Sequence, residues 1–374
     1  MSVISDTNEI GRALELASQS LLLTSPNPRV GCVITDPDGN VLGKGHTQRA
    51  GGPHAEIMAL RDALSKGHSV NGATAYVTLE PCAHQGRTGP CCDAMIAAGI
   101  QRVVVTNTDP NPLVAGQGFA RMRAAGIEVV VLPPDDPLAI QSRELNIGFF
   151  SRMIRKRPWV RVKIAASLDG KTALANGASQ WITSPEARAD GHAWRAQACM
   201  VLTGIGTVLA DNPKLDVRLV DTPRQPTVAL VDNCLELPLD ARLFIAGRPL
   251  YIWATGQNDH QLSELEARGT KVFVRPGSHG RVDLAAMLQD MARLEVNELH
   301  VEAGHRLNGA LIEAGLVDEF LIYLAPKLLG QGRDMASFGP LTELSQAVPL
   351  VFQSTQMVGP DLRVLARVQG RDQF

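Results

Sequence analysis

Two thiols, one imidazole and one carboxylate constrain this chain more than any other feature. His54-Ala55-Glu56 precedes the run Tyr76 to Cys92, in which Pro81-Cys82 closes a short apolar stretch and Cys91 opens a segment of helical character. A fold that brings His54, Cys82 and Cys91 to one point makes a zinc site with three protein ligands. Three ligands leave the fourth tetrahedral position open for water, whereas a structural zinc is normally closed by four. Glu56, two residues after His54, supplies the proton carrier such a water needs. Zinc lowers the pKa of its water to about 7, and a carboxylate within reach takes that proton and hands it to a leaving ammonia.

A His-x-Glu segment followed by Pro-Cys and a second Cys is the pattern of zinc nucleobase deaminases, in which the Glu is not itself a ligand. In that pattern the cysteines are separated by two residues; here Cys82 and Cys91 stand farther apart, which reads as an insertion, residues 83–90, arching over the site. His84 within it is an alternative fourth ligand, which would close a structural site and leave Glu56 without a task. Six cysteines in 374 residues, three of them between Cys82 and Cys92, suit metal binding better than a disulfide framework. Cys32, Cys92, Cys199 and Cys234 have apolar neighbours and read as small buried hydrophobes.

Length and charge narrow the partners. A chain of 374 residues holds two domains of ordinary size, expected at 1–150 and 151–374. The first carries 11 basic and 14 acidic residues and the second 25 and 24, so neither has the footprint of a nucleic-acid binder. Leu21-Leu22-Leu23 is too short for a signal-peptide core, and nothing approaches the roughly 18 continuous apolar residues of a membrane span. The expected setting is the cytoplasm, with neither nucleic acid nor membrane as partner.

Periodicity predicts an α/β architecture in both halves. In the first, a helix over 8–23 carries Ile10, Leu14, Ala17 and Leu21 on one face, a hairpin starts at Val30 to Ile34, and a helix over 54–65 places Ile57, Leu60 and Leu64 together. Strands at 75–79, 102–106 and 128–132 alternate with helices at 91–98 and 118–125, which points to a three-layer domain. His54 and Cys91 then both stand at helix starts, where the positive helix end favours thiolate over thiol. A helical segment to about Phe150 and the basic stretch Arg152 to Pro158, read as a solvated linker face, lead into the second half. There strands are expected at 160–166, 198–202, 227–231, 250–253, 271–274, 298–301 and 319–324. Helices are expected at 184–197, capped by Ser184 with Pro185 first, and near 260–268, 283–294 and 307–314. Gly204-x-Gly206 and Glu302-Ala303-Gly304 each follow a strand, where backbone can approach a phosphate; neither completes a dinucleotide fingerprint. From spacing alone this half is a ligand-binding α/β domain. Trp181 by itself reads as core, and Asp169 in Leu-Asp-Gly-Lys reads at least as well as a turn residue as one orienting a substrate.

The run Tyr76-Val77-Thr78-Leu79-Glu80-Pro81-Cys82-Ala83-His84-Gln85-Gly86-Arg87-Thr88-Gly89-Pro90-Cys91-Cys92 resembles the deaminase motif of the bifunctional riboflavin-biosynthesis family RibD. Ser25 to Gly31 and Gly52 to Glu56 are similar to that family too. Lys163 to Gly170, Ser179 to Ser184, Leu209 to Pro213 and Val301 to Gly304 resemble its reductase half, in the family's order. Gly89, and His305 after Gly304, stand where the family commonly has Pro.

The resemblance implies a cytidine-deaminase-like domain followed by a dihydrofolate-reductase-like domain. The implied reactions are zinc-dependent hydrolysis of the 2-amino group of a phosphorylated diaminopyrimidine and NADPH-dependent reduction of its ribosyl group. It makes His54, Cys82 and Cys91 the zinc ligands and Glu56 the proton shuttle, with Asn27 and His46 lining the pyrimidine pocket. Ala165, Trp181, Thr207, Asp211 and Gly304, His305, Arg306, Leu307, Asn308, Gly309 and Ala310 fall where the family binds NADP. Lys163, Ser179, Arg195, Leu215, Arg218 and Glu302 fall where it holds substrate, and the two arginines suit a phosphate. The expected partners are that small phosphorylated pyrimidine and further copies of the chain, as a dimer or tetramer. The zinc pattern by itself is also compatible with a deaminase of another base beside an inert second domain, or with a zinc-stabilised binding module.

Overall fold

The computed structural model describes residues 3–83, 89–112, 114–256 and 258–374, in two compact units, Met1–Arg155 and Lys156–Phe374. The first unit runs α1 (Val3–Ser18), β1 (Gly31–Thr35), β2 (Val41–His46), α2 (Ala55–Ser65), β3 (Thr74–Val77), α3 (Cys91–Ala97), β4 (Arg102–Val105), α4 (Gln117–Ala124), β5 (Glu128–Val131), α5 (Pro137–Leu145) and α6 (Ile147–Arg155). Its sheet has the order β2-β1-β3-β4-β5; β1 is antiparallel to both neighbours, and β3, β4 and β5 are parallel. Successive strand residues point to opposite faces. Cys32, Ile34, Ala75, Val77, Val103 and Val105 meet Met95 of α3 and Phe119 of α4, while Val33, Tyr76 and Val104 meet Ile10, Ala13 and Leu14 of α1. Strands buried on both faces need unbroken apolar runs, and the expected three layers follow.

Two helices depart from expectation. The first begins at Val3 and ends at Ser18, not over 8–23, because residues 19–24 fold into turns with bonds such as Ser20 N to Ala17 O, and the buried Ser20 Oγ donates to Thr47 O at 3.1 Å. A serine hydroxyl that bonds backbone elsewhere competes with the helix. On α2 the buried face is Ala55, Glu56, Ala59 and Ala63, and Leu64 is 77% exposed. The cause is β2: a Cβ on Gly43 would stand 2.2 Å from Ala59 O, and one on Gly45 2.5 Å from Met58 Cβ. Glycine against alanine lets helix and strand backbones touch, so the larger residues turn outward.

The second unit runs β6 (Trp159–Ser167), β7 (Lys171–Leu174), α7 (Pro185–Gln197), β8 (Met200–Gly204), α8 (Ile205–Asp211), β9 (Thr227–Val231), β10 (Leu250–Ala254), α9 (Asp259–Ala267), β11 (Lys271–Val274), α10 (Leu284–Arg293), β12 (Glu298–Val301), α11 (His305–Glu313), β13 (Glu319–Ala325), β14 (Gly332–Asp334), β15 (Leu350–Val358) and β16 (Asp361–Val368). A nine-stranded sheet orders them β11-β10-β9-β8-β12-β6-β13-β16-β15 and is parallel as far as β13, with β16 and β15 antiparallel at the end. Ser184 caps α7 by accepting from Ala187 N, as expected. The short pair β7 and β14, the helix α8 and the hairpin β15–β16 were not legible from periodicity. Residues 350–357 of β15 are exposed, so no face imposes alternation on it.

Three readings of single residues are corrected. Arg157 is no solvated linker residue: two bonds of 2.6 Å join it to Asp318, whose fully buried carboxylate also accepts Val160 N at 2.8 Å and fixes the start of β6. Cys32 and Cys92 are fully buried, but Cys199 is half-buried and Cys234 exposed. Trp181 is 63% exposed, which removes the reading as core.

Substituting Gly43→Ala should destabilise the first unit by about 1–3 kcal/mol, the cost of overpacking; urea unfolding followed by a probe in that unit measures it.

Candidate functional site

The ends of β3 and β4 and the starts of α2 and α3 build the first site. His54 is the N-cap residue of α2 with extended backbone, and its ring takes no part in capping among the described residues. Cys91 is the first residue of α3, and its N–H donates to Cys82 Sγ at 3.3 Å. One ligand atom from each of His54, Cys82 and Cys91 lies within 4.8 Å of the others. His54 Nδ1 is 3.6 Å from Cys82 Sγ and 3.4 Å from Cys91 Sγ. Zinc–nitrogen and zinc–sulfur bonds of about 2.1 and 2.3 Å at a tetrahedral angle separate N from S by about 3.6 Å, so the three residues fit a zinc ion. The Cys91 thiol beside Cys82, with His54, holds the Cys82 sulfur well below the usual thiol range, which favours thiolate there.

Glu56 stands in the first turn of α2, 4% exposed. Burial, reinforced by the Cys82 sulfur, pushes its carboxyl up to about 7. The carboxyl lies close enough to the ligand cluster to interact with Cys82, His54 and Cys91. His46 ends β2, with Nδ1 3.2 Å from Ser20 Oγ and from Thr47 O; Asn27 precedes β1, whose Gly31 is in register with His46. His84 and most of the stretch 83–90 lie outside the described residues.

Asp109, missed in the sequence, is near enough to the cluster for its charge to act on His54, and its carboxyl accepts from Asn111 N at 2.8 Å. It is 7% exposed, and burial, with Glu80, Cys82 and Glu56 adding to it, pushes its carboxyl up to about 7. The signal was topological: Asp109 follows β4, the parallel neighbour of the strand that leads to Cys82, and sites in open sheets gather at such carboxyl ends.

The second cluster stands where β12 and β8 end beside the middle of β6, which runs on to Ser167. Val162 pairs with Val301, so Lys163 and Glu302 are one register step farther along on neighbouring strands. Arg195 of α7 donates to both oxygens of Glu302, at 2.6 and 2.9 Å, and its Nη1 donates to Asp216 O at 2.5 Å. Burial would raise the Glu302 carboxyl, but the Arg195 guanidinium and Lys163 outweigh it and hold it well below the usual range. Burial lowers the Lys163 ammonium in turn.

Gly204 and Gly304 are the N-cap residues of α8 and α11. A Cβ on Gly304 would be 3.8 Å from Thr207 Oγ1, and one on Gly204 3.5 Å from Leu307, so both helix starts share one place with Thr207. Ala165 lies on β6, Asp211 ends α8, and His305, Arg306 and Ala310 belong to α11. Asn308 and Gly309 turn away: Asn308 Nδ2 donates to Met335 O, and Gly309 lies against the Ser337 backbone. Trp181 is stacked by the Arg188 guanidinium at 4.5 Å and follows Ser179 in the segment before α7. Leu215 is buried in the core beside β8 and β9, whereas Arg218 is half exposed and pairs with Asp216 at 2.6 Å. Asp169 acts in its turn, accepting from Leu329 N and Gly330 N.

Comparison with known proteins finds a match for each unit. Residues 5–107 match the cytidine and deoxycytidylate deaminase zinc-binding region, and residues 158–364 match the RibD C-terminal domain. The riboflavin biosynthesis protein RibD of Escherichia coli K12 is 43% identical over 96% of this chain and 98% of its own, and that of Aquifex aeolicus 39% over 96% and 97%. The solved structure of Acinetobacter baumannii RibD aligns with a TM-score of 0.88 at 37% identity, over 98% of this chain and 99% of its own. A Thermotoga maritima structure, named a diaminohydroxyphosphoribosylaminopyrimidine deaminase/5-amino-6-(5-phosphoribosylamino)uracil reductase, aligns at 0.85 and 31%, over 97% and 99%. With a deaminase-like unit, a reductase unit and full-length relatives in agreement, the chain belongs to the RibD family of riboflavin biosynthesis proteins.

Proposed function

We propose that the two units carry the family's two reactions in turn. The first hydrolyses the 2-amino group of 2,5-diamino-6-(5-phosphoribosylamino)pyrimidin-4(3H)-one, and the second reduces the ribosyl group of the product, giving 5-amino-6-(5-phosphoribitylamino)uracil. The observation that carries this reading is one imidazole and two sulfurs meeting beside a buried carboxylate.

In the first unit His54, Cys82 and Cys91 hold zinc, which when bound acts as a Lewis acid on a water and makes it a nucleophile near neutral pH. Glu56 takes the proton and returns it to the departing amino group. Burial lifts the Glu56 carboxyl above its usual range, which suits it to taking and returning a proton. Asn27 and His46 border the pyrimidine. In the second unit NADPH supplies the hydride when bound. Ala165, Trp181, Thr207, Asp211 and the start of α11 hold it at the carboxyl ends of the strands, while Ser179, Lys163, Leu215, Arg218 and Glu302 hold the sugar phosphate. Arg195 spends its fork on Glu302 and Asp216 O and so fixes both, which leaves the half-exposed Arg218 the better placed arginine for phosphate.

The setting is cytoplasmic: six cysteines, none in a disulfide, suit a reducing compartment. Among the described residues no helix is long and apolar enough to cross a membrane. The working form is a homo-oligomer, dimer or tetramer. β15 is an edge strand with Val351, Phe352 and Met357 48%, 71% and 59% exposed, and an exposed apolar edge is a template for pairing with a second copy.

Incubating the protein with the diaminopyrimidine phosphate and NADPH, following ammonia and nicotinamide absorbance together, tests the reading; ammonia without NADPH oxidation would favour a lone deaminase. Glu56→Gln, or removal of zinc by a chelator, should lower ammonia release by about 10²–10⁴-fold and leave NADPH oxidation on supplied deaminated substrate unchanged. Arg195→Ala should do the reverse. Phe352→Asp should shift sedimentation towards the monomer.

A further inference from the structure

We infer that Glu80 is a positioning residue of the deaminase site: its buried carboxylate fastens the Cys82 segment to the start of α4 and to the Asp109 loop. Cys82 sits in neither helix nor strand, in the stretch that follows β3, so something other than a backbone ladder must hold its sulfur where His54 and Cys91 need it. Glu80, two residues earlier, is 3% exposed. Its Oε2 accepts from Asp109 N at 3.2 Å and Gly116 N at 2.9 Å, and its Oε1 from Gly118 N at 3.0 Å and Phe119 N at 3.3 Å.

Gly116 is the N-cap residue of α4, and Gly118 and Phe119 lie in its first turn. The first N–H groups of a helix have no partner within it, and here a carboxylate from a neighbouring segment supplies the acceptors. Hydrogen bonds to a charged acceptor are roughly twice as strong as neutral ones. Two further contacts make the joint rigid. Glu80 N donates to Asn107 O at 3.0 Å, and Gly118 lies so close to Pro81 that a Cβ would stand 2.2 Å from the Pro81 carbonyl oxygen. The joint therefore spans the two residues before Cys82 on one side and the backbone of Asp109 on the other.

The inference rests on the zinc reading above, and cobalt(II) added to the metal-free full-length protein separates the two. Affinity by chelator competition and the cobalt ligand-field spectrum are recorded for the parent protein, Glu80→Gln and Gly118→Ala. The glutamine keeps the size but turns a donor amide towards N–H groups; the alanine disturbs the same joint without touching the carboxylate. Both variants should bind cobalt about 10–100-fold more weakly, the usual cost of losing an outer-shell support, with shifted bands and a lower kcat for ammonia release at saturating metal. Parent-like affinity and spectrum in both, whatever happens to thermal stability, would reduce Glu80 to a helix cap and overturn the inference. Failure of the parent protein to take up cobalt would instead sink the zinc reading itself.

Discussion

Backbone contact between α2 and β2 is the constraint on which the first site depends. Ala55, Ala59 and Ala63 lie on Gly43 and Gly45 with no room for a side chain between them, and this fixes the start of α2, where His54 and Glu56 stand. A larger residue on either surface would move the imidazole and the carboxylate together. Close packing leaves no slack to absorb such a shift. The cysteines reach the same point by a different device, since Cys91 opens a helix whose first amide donates to Cys82 Sγ. Two helix starts thus present their positive ends to a site that must hold thiolate.

The second unit solves a different problem, that of burying charge on a central strand. His300, Glu302, Arg161 and Lys163 share one face of β12 and β6, where an apolar core would be expected. Arg161 is bonded to Glu319 at 2.6 Å and stacked on Trp194 at 4.5 Å, and Arg367 joins Glu319 at 3.2 Å. Arg161 and Arg367 pair with Glu319, and Arg195 with Glu302, which is the condition for keeping such charges inside a protein. The row ends at Glu302 and Lys163, beside the end of β12.

How much of this was legible follows from what each residue had to do. The strand Thr227–Val231 was read to the residue, because a strand covered on both faces is apolar along nearly its whole length. The ligand set was legible because His-x-Glu and Pro-Cys place chemistry at fixed distances from helix starts. The face of α2 was misread because hydrophobicity ranks leucine above alanine, while contact with glycine ranks them the other way. Asp109 and Glu80 escaped because a lone acid carries no spacing, and their roles exist only once β3 and β4 lie side by side. The hairpin β15–β16 escaped for the opposite reason: exposed on both faces, β15 carries no alternation to read.

X-ray absorption at the zinc edge of the purified protein tests the central claim most directly. The account predicts one zinc per chain with two sulfurs at about 2.3 Å, one imidazole nitrogen at about 2.0–2.1 Å and one further light atom from solvent. A first shell closed by a fourth side chain, or one with fewer than two sulfurs, would contradict it.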